Sequence, residues 1–201
     1  MARWRAERRT RPRSRFRASS RIGSDVSAFV STDLRGAFVV ESEPVSDERG
    51  WFARTYCRSE FQEQAIDFVP TQASVSYNTH RGTLRGMHYQ DEPFAEAKLV
   101  RCTKGSLYDV IVDLRSEEPT FRQWFAVELT EGNRRAIFLP PGVAHGFQTL
   151  EDGTEVSYQI APEYSAAHAR GVRWDDPAFG IEWPLPVSVM SERDRTYADF
   201  R

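Results

Sequence analysis

The sequence has few of the residues that build disulfide frameworks or metal sites. Its 201 residues include two cysteines, Cys57 and Cys102, and four histidines. The cysteines are far apart and lack the paired spacing of zinc ligands, and one pair of thiols does not make a disulfide framework. We therefore expect both thiols to be reduced, as in a cytoplasmic protein.

Long apolar runs are absent as well. No stretch of about 18 apolar residues occurs, so the sequence predicts no membrane-spanning helix and no membrane partner. The chain has instead 40% hydrophobic and 12% aromatic residues, with 12 glycines and 11 prolines spread along its length. This composition predicts a well-buried core in one domain of many short strands joined by turns.

The net charge of -2 conceals an uneven distribution. Residues 1–24 carry nine arginines and one glutamate, a charge of +8, so the rest of the chain carries -10. Because this segment repels itself and has almost no aliphatic side chains, a disordered extension is predicted over residues 1–33. A nucleic-acid tail, a targeting peptide and an upstream start codon are the alternatives. The acidic remainder argues against a nucleic-acid partner, and residues 34–201 are predicted to form the functional domain.

A period of two dominates the sequence from about residue 36 onward. In the segment 105–115, Asp109 and Ile111 share one predicted face, while Tyr108 and Val110 share the other. Short strands with turns at regular spacing predict an all-β sandwich or barrel. Further strands are predicted at 37–41, 51–56, 68–77, 83–90, 97–103, 122–130, 135–139, 145–150 and 154–160.

Helical signals are scarce. Arg58–Ala65 is the one segment that resembles a short helix, and residues 161–201 are expected to contain turns with little regular structure.

Several polar side chains lie within apolar strands, where burying an unpaired charge costs several kcal/mol unless the charge lines a cavity. Strict alternation places His88 and Gln90 on one face of their strand and Arg85 on the other. Taken singly, His88 could be a structural histidine and Lys98 a solvated charge at a strand end. The candidates to line a ligand cavity are Arg85, His88, Gln90, Lys98, Asp109, His145 and Tyr158.

The segment Pro140–Phe147 has the P-x-G-x-x-H pattern of the second sequence box of cupin barrels. Gly142 permits a tight turn that would aim His145 inward. Metal-binding cupins also supply an H-x-H pair, whereas the comparable strand here has His88 between Met87 and Tyr89. We therefore expect no metal ion, and a cavity that works with organic groups alone.

A set of motifs spans about four fifths of the chain in a recognisable order. They lie at 47–52, 82–90, 98–101, 108–115, 119–121, 139–147, 158, 164–165, 174–177, 180–184 and 191–194. In these motifs the chain resembles the dTDP-4-dehydrorhamnose 3,5-epimerase family of deoxysugar biosynthesis. The resemblance implies a cupin-type jelly-roll barrel with short peripheral helices, a nucleotide-sugar substrate, no cofactor, and a homodimer whose N-terminal strands pair across subunits.

The resemblance also implies roles for individual residues. His88 corresponds to the general base, Asp194 to the carboxylate that orients it, Lys98 to the cation beside the sugar C4 oxygen, and Tyr158 to the acid. Substrate-binding roles are expected at Arg49, Gln72, Arg85, Gln90, His145, Tyr164 and Arg193, with Tyr164 where an aromatic ring stacks on the nucleotide base.

These residue types suit proton transfer next to a ketone. A cation near the C4 oxygen stabilises the enolate that forms when the adjacent carbon loses a proton. A histidine oriented by a carboxylate is a suitable base near neutral pH, and a neutral tyrosine can return the proton from the opposite face.

Departures from the family pattern fall in the expected substrate contacts. Ala73, Ser74 and Val75 replace an acid, an amide and a histidine, and Arg54 and Ala169 stand at positions that are often acidic. The sequence therefore leaves open which sugar is bound and whether C3, C5 or both are inverted. A 3,4-ketoisomerase and a non-catalytic sugar-nucleotide-binding cupin are the alternative functions.

Overall fold

A computed structural model describes residues 27–200 and shows two antiparallel sheets that face each other. The six-stranded sheet has the order β1-β2-β10-β7-β12-β5, and the five-stranded sheet has the order β13-β6-β11-β8-β9. The strands of the described residues are β1 (Ala28–Ser31), β2 (Phe38–Glu41), β3 (Val45–Asp47), β4 (Gly50–Phe52), β5 (Gln72–Asn78), β6 (Leu84–Gln90), β7 (Ala97–Lys104), β8 (Ser106–Asp113), β9 (Trp124–Thr130), β10 (Arg135–Leu139), β11 (Val143–Thr149), β12 (Thr154–Ala161) and β13 (Ala169–Gly171). Two short helices accompany them, α1 (Arg58–Glu63) and α2 (Glu192–Arg195). The predicted all-β jelly-roll barrel with short peripheral helices is confirmed.

The main core lies between the two sheets. Val100, Ile137 and Val156 of the six-stranded sheet pack in one cluster with Leu107 and Ile111 of the five-stranded sheet. Burying each branched apolar side chain of this kind contributes about 1.5–3 kcal/mol to folding. The period-two pattern thus directs one apolar face of each sheet inward.

Each sheet is also covered on its outer face. Phe61 of α1 and Phe68 of the following loop pack on Phe138 of the six-stranded sheet, with ring centroids 5.5 and 5.3 Å from it. Val110 and Val172 belong to a cluster on the outer side of the five-stranded sheet, together with C-terminal residues. Because the C-terminal segment wraps around this sheet, it returns α2 to the edge of the barrel interior.

The observed elements differ from the predicted ones in several places. Strand β1 pairs with β2 along its whole length, so the sheet begins before the predicted boundary at residue 33. Strand β5 begins at Gln72, because the preceding residues form a loop that buries Phe68. Residues 161–200 have little regular structure, as predicted, and β13 and α2 are the short elements within them. Residues 1–26 of the predicted N-terminal extension lie outside the described residues.

No helix within residues 27–200 is long and apolar enough to cross a membrane.

Candidate active site

A cavity of about 720 Å³ is lined by residues of both sheets and of α2. The cavity continues the space between the sheets beyond the apolar core. On one face of β7, Lys98 lines the cavity, while Val100, two residues further along, belongs to the core. Ten of the eleven predicted site residues line this cavity: Gln72, Arg85, His88, Gln90, Lys98, His145, Tyr158, Tyr164, Arg193 and Asp194. Arg49 does not.

A bulge in β6 brings Arg85 and His88 to the same side. His145 of β11 pairs with His88, but Phe147 pairs with Arg85, so β6 has one extra residue between these two pairs. Gly86 occupies the bulge with a φ of +138°, and a Cβ there would lie 2.5 Å from the Cα of Gly146, so only glycine fits. The prediction that Arg85 faces away from His88 was therefore wrong.

His88 and Asp194 form a hydrogen-bonded pair across 106 residues of sequence, with 2.7 Å between Nε2 and Oδ1. The second carboxylate oxygen accepts the Gly86 N–H, and Ser191 caps α2 by accepting the Asp194 N–H. Burial raises the pKa of Asp194, but the hydrogen bonds from His88 and Gly86 outweigh it, so the pKa lies below its ordinary value. Asp194 is thus ionised near neutral pH and accepts a hydrogen bond from the Nε2–H of His88, so that the lone pair of the neutral imidazole lies on Nδ1.

Lys98 is buried and paired rather than solvated. Its Nζ lies 2.7 Å from Oε1 of Glu96, and the two side chains are 8% and 7% exposed. The same ammonium donates to the backbone carbonyl of His88 at 3.4 Å, so it reaches from the six-stranded sheet to the other sheet. Glu96 was missed by the sequence analysis, although a carboxylate two residues before a strand lysine shares its face.

Removing the carboxylate of Glu96 should therefore destabilise the fold strongly. Glu96→Ala leaves the buried Lys98 ammonium without its counter-ion, so the free energy of unfolding should fall by about 3–5 kcal/mol in urea denaturation. Glu41→Ala is the control, because Glu41 forms an exposed ion pair with Arg135 and its loss should cost about 0–1 kcal/mol. Equal losses in the two variants would contradict the structural importance of the buried pair.

Tyr158 lies on the sheet opposite His88, with its hydroxyl 3.0 Å from Oγ of Ser76. Burial raises its pKa to about 12, so the phenol stays protonated at neutral pH.

His145 lies beside Tyr158, with ring centroids 6.4 Å apart, and Nε2 of His145 is 2.9 Å from Oδ2 of Asp109. Burial raises the pKa of Asp109, and the attraction to His145 only partly offsets this effect.

The remaining predicted contacts surround His88 and Tyr158. Nε of Arg85 donates to Asn78 at 2.7 Å, and the Arg193 guanidinium lies 5.9 Å from the ring centroid of Tyr197. Tyr164, which is 52% exposed, borders the cavity. Polar and aromatic groups thus extend from the inner part of the cavity towards solvent.

Arg49 lies away from this cavity, on the β3–β4 hairpin. Its side chain is 85% exposed and pairs with Asp47 of the same hairpin. The structure therefore does not bring Arg49 together with the other predicted residues of its own chain.

The departures from the family pattern divide between two places. Ser74, Val75 and Ala169 border the cavity. Arg54 lies elsewhere and pairs with Glu60 of α1, at 2.8 Å.

Among residues 27–200, no three His, Cys, Asp or Glu side chains are grouped as metal ligands.

Comparison with known proteins identifies the family. The family model for dTDP-4-dehydrorhamnose 3,5-epimerase matches residues 31–201. A dTDP-4-dehydrorhamnose 3,5-epimerase from Sinorhizobium fredii is 41% identical over 167 residues, which cover 83% of this chain and 86% of the relative.

Solved structures support the same family. The crystal structure of a dTDP-4-dehydrorhamnose 3,5-epimerase from Bacillus anthracis, with TDP and PPi bound, is 36% identical and covers 87% of this chain and 100% of its own, with a TM-score of 0.84. A 3′-monoepimerase from Streptomyces bikiniensis, in complex with dTDP-quinovose, is 33% identical and covers 81% of this chain and 83% of its own, with a TM-score of 0.76. The chain belongs to the dTDP-4-dehydrorhamnose 3,5-epimerase family, whose members are isomerases that epimerise sugars.

Proposed function

We propose that this enzyme inverts C3, C5 or both carbons of a dTDP-linked 4-keto-6-deoxy sugar, with His88 as base and Tyr158 as acid. One observation carries the proposal: the two groups stand on opposite sheets and line the same cavity. A sugar ring bound between the sheets can lose a proton towards one sheet and gain one from the other. Removal and return of a proton on opposite faces inverts the carbon.

The charged residues around the pair suit the enolate intermediate. His88 takes the proton next to the ketone through Nδ1, while Asp194 stabilises the resulting imidazolium. The Lys98 ammonium offers positive charge to the C4 oxygen as negative charge develops there. Tyr158 then protonates the carbon from the other side. Each inversion leaves His88 protonated and Tyr158 ionised, so exchange with solvent must restore both groups.

Because both groups exchange protons with solvent, the reaction can be followed in deuterated water. The protein is incubated with dTDP-4-keto-6-deoxyglucose, and deuterium at C3 and C5 is followed by NMR. We expect deuterium at each inverted carbon, because the proton that Tyr158 delivers comes from solvent. Absence of exchange would reject the epimerase. Exchange at one carbon alone would reject the double epimerase, and transfer of the keto group to C3 would identify a ketoisomerase.

We further propose that the enzyme is a cytoplasmic homodimer in which the β3–β4 hairpin of one copy reaches the cavity of the other. The exposed hairpin carries Trp51 and Phe52, which are more than half exposed in the single chain. It also carries Arg49, which its own cavity does not use. A second copy would cover the aromatic side chains and give Arg49 a substrate to bind. Both cysteines are free thiols, which suits a reducing compartment.

Mixing two impaired variants tests this arrangement. Arg49→Ala and His88→Ala should each be weakly active alone, but a heterodimer contains one cavity with both residues intact. After the mixed chains are unfolded and refolded together, we expect about a quarter of wild-type activity, since half of the dimers are mixed and each has one complete site. Activity no higher than that of Arg49→Ala alone would contradict a contribution from the partner copy.

A further inference from the structure

The carboxamide of Gln90 is fully engaged with backbone rather than free for a ligand. Gln90 is 2% exposed. Its Nε2 donates to the carbonyl of Phe94 at 3.0 Å and to that of Glu163 at 3.4 Å, while its Oε1 accepts the Ser165 N–H. Because both N–H groups of the amide are used, Gln90 has no donor left for substrate.

A second glutamine holds the same segment from the facing sheet. Oε1 of Gln72, on β5, accepts the Tyr164 N–H at 2.9 Å, and its Nε2 donates to Ser74 at 3.2 Å. Residues 163–165 are therefore fixed to β5 by one carboxamide and to β6 by the other. Between these two attachments stands the ring of Tyr164, at the edge of the cavity.

Side-chain contacts reinforce the attachment on the Gln90 side. The Phe94 ring stacks on His168 with centroids 4.6 Å apart, and Nδ1 of His168 lies 2.8 Å from Oγ of Ser165. Gln90, Phe94, His168 and Ser165 thus form a closed set of contacts behind the tyrosine. A surface segment with this many attachments is ordered before any ligand arrives.

We propose that Gln90 and Gln72 are positioning residues that hold Tyr164 ready to stack on the base of a nucleoside diphosphate sugar. This role rests on the proposed function, and it replaces the direct substrate contact that the sequence analysis expected of Gln90. Stacking requires a fixed ring plane, and an aromatic residue on a loose segment would lose conformational freedom on binding. Because the two carboxamides already fix the segment in the free protein, little conformational freedom is left for Tyr164 to lose on binding.

The variant Gln90→Met tests the role, because methionine has a similar length but makes none of these hydrogen bonds. Gln148→Met is the matched control. Gln148 is also buried, and it makes the same kind of bonds to the N–H and carbonyl of Leu185, away from the cavity. In the ligand-free protein, amide hydrogen exchange at Tyr164 and Ser165 should be faster in Gln90→Met and unchanged in Gln148→Met. Unchanged exchange in Gln90→Met would overturn the proposal without reference to any substrate.

Binding of dTDP, measured by calorimetry, tests the link to Tyr164. We expect Gln90→Met to weaken binding on the order of tenfold, equivalent to one or two hydrogen bonds, and Gln148→Met to leave it unchanged. In a Tyr164→Ala background, Gln90→Met should cause no further loss of dTDP affinity.

The outcomes separate this role from the proposed function. Additive losses in the double variant would show that Gln90 acts on the ligand without Tyr164, and unchanged affinity in Gln90→Met would show that the attachment is irrelevant to binding. Either result overturns the positioning role while the wild-type enzyme still binds dTDP and exchanges deuterium. If the wild-type protein binds no dTDP, the proposed function and the positioning role both fall.

Discussion

His88→Ala is expected to lower deuterium incorporation from solvent into the sugar by about 10²–10⁴-fold, the usual contribution of a positioned acid–base group. The expected loss is this large because His88 is the proposed base, and the ionised carboxylate of Asp194 orients it from behind. Incorporation at C3 and C5 would be measured by NMR at saturating substrate, so that weaker binding does not enter the rate. The affinity for dTDP should change little, since the base contact expected at Tyr164 is intact.

A second histidine provides the control for an effect on folding rather than on catalysis. His80 is exposed and lies outside the residues that border the cavity, so His80→Ala should retain wild-type exchange. Asp194→Asn should give an intermediate loss, because the amide cannot stabilise the imidazolium but leaves Nδ1 in place. A His88→Ala protein that exchanges deuterium at the wild-type rate would remove the base from the mechanism.

Much of the barrel could be predicted from alternation because one face of each strand is apolar. In β8, the pattern correctly separated Leu107 and Ile111, which pack in the core between the sheets, from Val110, which packs on the outer side. Alternation failed at β6, where a single extra residue reverses the faces beyond it. Gly86, in the middle of a strand, was the available signal, since an isolated glycine in a strand often marks a bulge.

The site was less predictable because its partners meet across long stretches of sequence. Nothing in the sequence around Asp194 distinguishes it from other surface acids, and only the family resemblance indicated its pairing with His88. Glu96 could have been found from its place two residues before Lys98. The engagement of Gln90 could not, since its partners are backbone atoms of two loops whose paths depend on the whole fold.

Tyr158→Phe is expected to separate proton removal from inversion. The variant keeps His88, Asp194 and Lys98, so the base can still remove a proton and return a deuteron to the same face. Epimerised product should therefore form about 10²–10⁴-fold more slowly, while deuterium still enters the starting sugar with its configuration retained. NMR of the recovered sugar measures both quantities in one sample. Tyr77→Phe is the control, because Tyr77 is exposed on β5, and it should epimerise normally.

The raised pKa of Tyr158 adds a pH dependence to this experiment. Since burial raises that pKa to about 12, the phenol keeps its proton well above neutrality, and wild-type inversion should not decline through loss of this proton until the pH approaches that value. A decline near the ordinary tyrosine pKa of about 10 that disappears in Tyr158→Phe would contradict the buried, neutral acid. Equal losses of exchange and inversion in Tyr158→Phe would contradict the separate roles of His88 as base and Tyr158 as acid, because both steps would then depend on Tyr158. Retained exchange with lost inversion, in contrast, follows only if base and acid approach the sugar from opposite sheets.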